Sequence, residues 1–369
     1  MSAPQIVVTV TGALARRGTE TPTGTAFLVY AGATGPTEPV RCYSSAEAVA
    51  AEVPAPIAAY VDDVLRLGAP SVYVVRAAAA DAAAVTQPEW ATALATLSGG
   101  FGVGQVLIPG VATAAAHGAL LAHAAATGRT VLLDAAKDAA AASLATTAAG
   151  LAAAEGADRA GLIAPWVEMP GPAGTTREVP GSVVAAGLAA RGDAAVGHAN
   201  HAPAGDQGRG AGTVTAGRAV TVAYTGAERD TLHDAGVSVI RLIGGVPTLY
   251  GWVALSDDAT WRQLSAGRMA MQLQSGLTGV AGKFLFRQLD GRGLLYRELE
   301  GALRGYLAPI AATDALWGPV ADAFDVDVEG VNTPTTAAAG ELHAAVAVAL
   351  TPHTERVVIN VVTSIAEGA

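Results

Sequence analysis

TAFLVYAG at residues 25–32, IAAYVDDVLRLG at 57–68 and SVYVVRA at 71–77 decide the fold. The first and third have the length and the aromatic and β-branched content of buried strands. The second repeats apolar residues at helical spacing and stops at Gly68, the residue that most readily ends a helix. Outward from there the alternation continues. GQVLIPG (104–110), TVLLDAA (130–136) and RAGLIAPW (159–166) read as strands, with a helix from about Thr113 to Thr127 and an Ala-rich helix between them. Short apolar strands alternating with helices predict an α/β domain with a largely parallel sheet.

Upstream, QIVVTVT (5–11) has strand composition, but the flexible-looking GALARRGTETPTG (12–24) separates it from the first globular unit. Downstream, a helix is expected from Val179 to Ala190, followed by a long Gly-rich loop at 192–212, of the kind usually exposed. Strands are then expected at 217–225, 237–245 and 247–255, and a short helix closed by Gly236. Asp257 or Asp258 is the expected cap of a long helix bearing Ala270, Leu273, Leu277, Val280 and Phe284 at helical spacing. A second helix carries Leu295, Leu299, Ala302 and Tyr306 on one face, and the chain finishes in strands within 320–331, 341–352 and 355–365. No repeat of 20 to 50 residues is visible, which argues against a solenoid or propeller.

The chain has 369 residues, a formal charge of −10 and a single cysteine, Cys42. The length allows two or three domains at roughly 100 to 200 residues each. The acidic balance argues against nucleic acid as a partner, and one cysteine excludes an intrachain disulfide. Mean hydropathy is positive, but much of it is alanine, and no stretch has the run of large apolar residues of a membrane span. Charge is unevenly placed. Residues 259–309 hold seven basic residues against three acids, a net of +4, while the chain after Ile310 holds eight acids against Arg356 alone, a net of −7. Such opposed segments are either complementary within the fold or steer contacts with other chains.

A search for chemistry gives no catalytic constellation, no metal set and no cofactor. The cluster GGFGVG (99–104) precedes a strand instead of following one, so it reads as a turn and not as a dinucleotide loop. His198 and His201 have HxxH spacing with only Asp206 nearby, short of a full ligand set. Asp62 and Asp63 read as a solvated helix face, and the five tryptophans are scattered as core or interface anchors.

Several segments, taken in order, resemble the contractile tail sheath family. They are residues 23–48 with GAPSVYVVRA (68–77); GLIAPWVEMPG (161–171) and VPGSVVAAGLAARGDA (179–194); AGVSVIRLIGG (235–245) with GWVALS (251–256); ATWRQLSAGRMAMQLQSGL (259–277); DAFDVDVEGVNT (322–333); and GELHAAVAVALTPHTERVVINV (340–361). The Pro-Gly-Val-Tyr type start of many sheaths is missing, and the length leaves no room for inserted outer domains, so a compact member is implied.

The resemblance implies an N-terminal arm with an exchanged strand (1–20), an outer α/β region (21–255) and an inner α+β C-terminal domain (256–369) completed by strand exchange between subunits. It implies a non-enzymatic subunit that polymerises with itself as hexameric rings in a helical sheath around an inner tail tube protein. Baseplate and tail terminator proteins would be further partners. The location implied is a virion tail or contractile particle assembled in the bacterial host cytoplasm; phage tail, tailocin and injection system remain open. Ile6, Val7, Val8, Thr9 and Val10, and Val357, Val358, Ile359, Asn360, Val361 and Val362, are the expected inter-subunit strands. Arg287, Arg292, Arg297 and Arg304 are the expected contacts to the tube or a neighbour. The competing readings are an α/β enzyme acting on a nucleotide or acyl substrate, and a different self-assembling tube or surface-layer subunit.

Overall fold

The computed structural model describes residues 23–289 and 291–358. Strand β1 (Ala26–Ala31) is the hub. It pairs in parallel with β3 (Val72–Ala77) on one side and β4 (Gln105–Leu107) on the other. Beyond β4 follow β5 (Thr130–Asp134), β6 (Ala160–Ala164) and β10 (Val237–Ile243), all parallel. Antiparallel strands finish both ends, β2 (Val40–Cys42) against β3 and β11 (Val246–Leu249) against β10. The expected largely parallel α/β sheet is thus observed, with strand order β11-β10-β6-β5-β4-β1-β3-β2.

Both faces of this sheet are covered, which is why its strands are apolar throughout instead of alternating. Leu28, Tyr30, Val72, Val74 and Leu132 enter one core with helices α1 (Ser45–Ala50), α2 (Ala55–Leu67) and α6 (Gly181–Val196). Phe27, Val29, Val75, Val131 and Leu133 enter the other with α3 (Gln87–Ala95), α4 (Ala114–Thr127), α5 (Ala141–Leu151) and α7 (Gly226–Asp234). Local chemistry sets the helix ends: Thr113 caps α4, Thr86–Glu89 and Thr225–Glu228 form capping boxes, and Gly128 and Gly197 close α4 and α6 in the left-handed region. A small sheet, β8 (Thr176–Val179), β7 (Val167–Pro170) and β9 (Ala219–Val220), follows β6. The outer edge of β11 is occupied by residues 205–214, with Leu249 N donating to Gly212 O and Val214 N to Pro247 O.

A third core belongs to the C-terminal region. Met269, Leu273 and Leu277 of α8 (Leu264–Ala281) pack with Leu299, Leu303 and Leu307 of α9 (Leu294–Ala311). The two-stranded antiparallel sheet of β12 (Phe324–Asp327) and β13 (Ala345–Val348) completes it, after the short α10 (Pro334–Ala338) between those strands. The α+β character expected for this region is present. Helix α8 lies at the amino ends of β5 and β6: Thr130 Oγ1 reaches Met271 Sδ, and Gly161 and Gly267 allow the close approach.

Four expectations need correction. Neither Asp257 nor Asp258 caps α8; the N-cap is Gln263, because Gln263 is committed to a bridge with Val253, and Asp258 instead accepts from Thr260 N. The helix expected to end at Ala190 runs to Val196, and residues 198–202 of the expected exposed loop are buried. Asp63 is not solvated but buried, paired with Arg177 of β8. The strand expected over 217–225 is confined to Ala219–Val220.

Two glycines give opposite responses to the same change. A Cβ on Gly187 of α6 would lie 2.4 Å from Leu67 Cβ, whereas one on Gly301 of α9 meets nothing within 4 Å. Gly187→Ala is expected to destabilise by about 1–3 kcal/mol and Gly301→Ala to stabilise by about 0.5–1 kcal/mol. Urea melts of the two variants against the wild type check this.

Candidate functional site

The α/β unit and the C-terminal unit meet at a buried polar junction. Asp193, in the last turn of α6, accepts from Arg268 Nη2 and Thr23 Oγ1 on Oδ2, both at 2.6 Å, and contacts His201 Nε2 on Oδ1 at 2.8 Å. Arg268 is 0% exposed. Burial alone would raise the Asp193 pKa, but the charge of Arg268 and the bonds from His201 and Arg268 outweigh it and bring the value to about 2. The neighbouring residues are equally committed. Ala199 N donates to Gln272 Oε1, Asn200 Nδ2 donates to Ala315 O and Thr351 O, and His198 Nε2 contacts Asp314. His198 and His201 therefore serve as fasteners with separate carboxylate partners. Among the described residues no group of three or more His, Cys, Asp or Glu could hold a metal.

The tail is clamped to the same helix. The Gln263 side chain donates to His353 O and accepts from His353 N, and the His353 ring contacts Ser265 Oγ at 3.3 Å. Burial lowers the His353 pKa, while Glu355 works against that shift. A groove of about 490 Å³ runs beside the clamp, lined by Trp261, Gln263, Leu350, Pro352 and Glu355 among others.

Beyond the clamp, Val357 and Val358 are 75% and 67% exposed and belong to no strand. Ile359, Asn360, Val361 and Val362 lie outside the described residues, as do Ile6 to Val10. The sheet of β12 and β13 has two strands among the described residues. Val326 and Val348 face the third core, while Asp325, Ala345 and Ala347 are exposed. The outer edge of β12 is engaged, with Val326 O accepting from Arg304 Nη2 and Val326 N donating to Asp325 Oδ1, so β13 offers the backbone edge suited to receive another strand.

The basic segment divides in two. Arg304 bonds Glu300 and Val326 O, and its guanidinium lies 5.2 Å from the Phe324 ring, so it is turned to its own subunit. Arg287, Arg292 and Arg297 lie exposed at the connection between α8 and α9, where Arg287 pairs with Glu298 and Arg297 donates to Arg292 O. The sequence reading missed the apolar member of this surface. Phe286 is 86% exposed at φ 62, a conformation unfavourable for a bulky residue, and Leu285 and Leu294 are exposed with it. The available signal was that Leu285 and Phe286 fall off the apolar face that ends at Phe284.

The carboxyl ends of the large sheet, where open α/β sheets hold ligands near a reversal of strand order, are filled from within. The order reverses between β1 and β4, and the next carboxylate along, Asp134 of β5, accepts from Gly110 N, Ser182 N and Ser182 Oγ. Burial pushes its pKa up to about 6 against those three bonds. Trp166 packs on Gly110 and donates to Ala135 O.

No protein-family model matches this sequence, and neither does any curated protein. Solved structures do. A chain of the six-fold symmetrised anti-feeding prophage baseplate matches at TM-score 0.76 and 18% identity, over 99% of this chain and 100% of that one. The sheath complex of an extracellular contractile injection system, in its contracted state, matches at TM-score 0.76 and 15% identity over 99% and 98%. The sheath tail protein of Desulfitobacterium hafniense matches at TM-score 0.58 and 12% identity over 89% and 94%. The fold is that of a contractile sheath protein. Within it, Thr23 and His353 are both tied to the junction at α8, and the α8–α9 connection is exposed.

The Asp193 carboxylate has a native pKa below the ordinary value, so it contributes stability above pH about 4, and that contribution is lost as pH falls towards about 2. Asp193→Asn is expected to cost about 3–5 kcal/mol at neutral pH by leaving Arg268 buried without its counter-charge, and to flatten stability between pH 4 and 2. Urea melts across that range read both effects.

Proposed function

We propose that this chain is the structural subunit of a contractile sheath, assembling around an inner tube and shortening to drive that tube through a target envelope. The observation that carries the reading is likeness over the whole length in both directions to a chain of a contracted sheath complex. Six-fold symmetry in a similar assembly supports hexameric rings, with baseplate and terminator proteins as further partners in a particle assembled in the bacterial host cytoplasm. The subunit is non-enzymatic in this reading. Its buried carboxylates Asp134 and Asp193 are used by internal donors, and the work of contraction is stored at assembly.

Strand exchange would link the subunits. The arm at 1–20 precedes the outer region (21–255), the tail closes the inner domain (256–369), and the edge of β13 is the acceptor. An exchanged strand with four or five backbone hydrogen bonds gains only several kcal/mol at about 0.5–1.5 kcal/mol each. Repetition through the lattice makes the link durable, and cooperative repacking of rigid bodies on such links is the mode of contraction. The arm can reach a neighbour: residues 12–24 span roughly 40 Å when extended at about 3.3 Å per residue.

Deleting residues 1–12 is expected to leave a soluble, cooperatively folding monomer that forms no cylinders under the electron microscope. If the shortened chain unfolds, the Ile6–Val10 strand belongs to its own core and the exchange model is wrong.

The exposed cations of the α8–α9 connection, with Phe286 among them, are the proposed face towards the tube or a neighbouring subunit. Arg292→Glu combined with Arg297→Glu is expected to weaken assembly, with the larger deficit at low salt, where screening is least. Sedimentation at two ionic strengths measures it, and assembly that ignores the reversal removes this face from the interface.

A further inference from the structure

Thr23, through Asp193, and His353, directly, are both tied to the first turns of α8, and we infer that this shared root couples the two arms of one subunit, so that displacing one loosens the other. At the amino end, Thr23 is buried; its carbonyl accepts from Gln105 Nε2 at 2.8 Å and its hydroxyl donates to Asp193 Oδ2. The same oxygen receives Arg268 of α8. At the carboxyl end, His353 is held through its main chain by Gln263, the N-cap of α8, and through its ring by Ser265. Ser265 and Arg268 are three residues apart and therefore share a helix face.

A second route avoids the helix. Asp193 contacts His201, and the adjacent Asn200 donates to Thr351 O. Only Asp193, His201 and Asn200 separate Thr23 from the tail along this path. Asp193, Arg268, His201, Asn200 and Ser265 are all buried. A packed interior repacks between discrete arrangements and does not deform smoothly, and polar groups with fixed partners move together. Loss of the Thr23 anchor is thus transmitted to Thr351 and His353, and the coupling is reciprocal.

The consequence for a lattice rests on the strand-exchange reading: a pull on the amino-terminal arm from one neighbour weakens the hold of the tail on another. The coupling itself is a property of the single subunit. It can therefore fail while cylinders still form, or hold while they do not.

The test is amide hydrogen exchange on the full-length chain below its assembly concentration, comparing wild type with Thr23→Val. Thr351 N donates to Ala315 O and His353 N to Gln263 Oε1, while Leu144 N of α5, which donates to Ala140 O on the other face of the sheet, is the control. The expected result is exchange about fivefold or more faster at Thr351 and His353, with Leu144 unchanged. Thr23→Ser, which keeps the hydroxyl, is expected to restore wild-type rates. Unchanged rates at Thr351 and His353, or an equal rise at all three amides, would overturn the coupling.

Discussion

Everything in the C-terminal half hangs on a charge that has been taken out of water. Arg268 is wholly buried, and a guanidinium in that position is tolerable only against a fixed counter-charge. Asp193 supplies it from the end of α6, across the gap between two hydrophobic cores that share few side chains. Apolar packing is indifferent to small sliding, whereas an ion pair with two further donors on its carboxylate fixes one arrangement. The pair thus sets how the C-terminal helices sit under the parallel sheet, and the clamps on Thr23, Asn200 and His353 follow from that placement.

The large sheet provides what the junction needs from its other side. Because both faces of β1, β3, β5 and β6 are covered by helices, the amino ends of β5 and β6 are held firmly enough to seat α8. The carboxyl ends are spent on internal bonds: Asp134 ties the start of α6 to the loop after β4. In a subunit proposed to transmit force, a sheet whose carboxyl ends are tied by internal bonds is mechanically sensible.

Local signals made the first half of the fold legible. The apolar runs at 25–32 and 71–77 and the Gly68 stop of α2 correspond to observed elements, as does, further along, the helical spacing through Leu273 and Leu277. What sequence could not supply was partnership at a distance. Asp63 looks like one of two solvated acids until Arg177, 114 positions away, is folded onto it. The glycines at 192–212 suggest an exposed loop, yet residues 198–202 are buried because His198, the Ala199 amide and Asn200 find partners beyond residue 260 and His201 finds Asp193. The start of α8 was misplaced for the same reason, since Gln263 is claimed by Val253 and His353. The proposed assembly surface is half visible: its charges can be counted and Phe286 falls off the apolar face that ends at Phe284, but Leu294 cannot be separated from core residues such as Leu295 without knowing which face is covered.

The treatment of strand edges has a bearing on how such a protein behaves when crowded. The large sheet ends at one side in β2, three residues long and bearing Arg41, and at the other in β11, whose outer side is already taken by residues 205–214. Short, charged or covered edges discourage indiscriminate sheet-to-sheet sticking. In the small sheet Arg304 and Asp325 occupy the outer side of β12, which leaves the edge of β13 as the one suited to pairing. A cell making many copies of such a chain faces a kinetic partition between ordered growth and clumping. Under the proposed strand exchange, confining adhesive backbone to one small sheet biases that partition, since a newly made subunit then has one productive way to be captured and few unproductive ones.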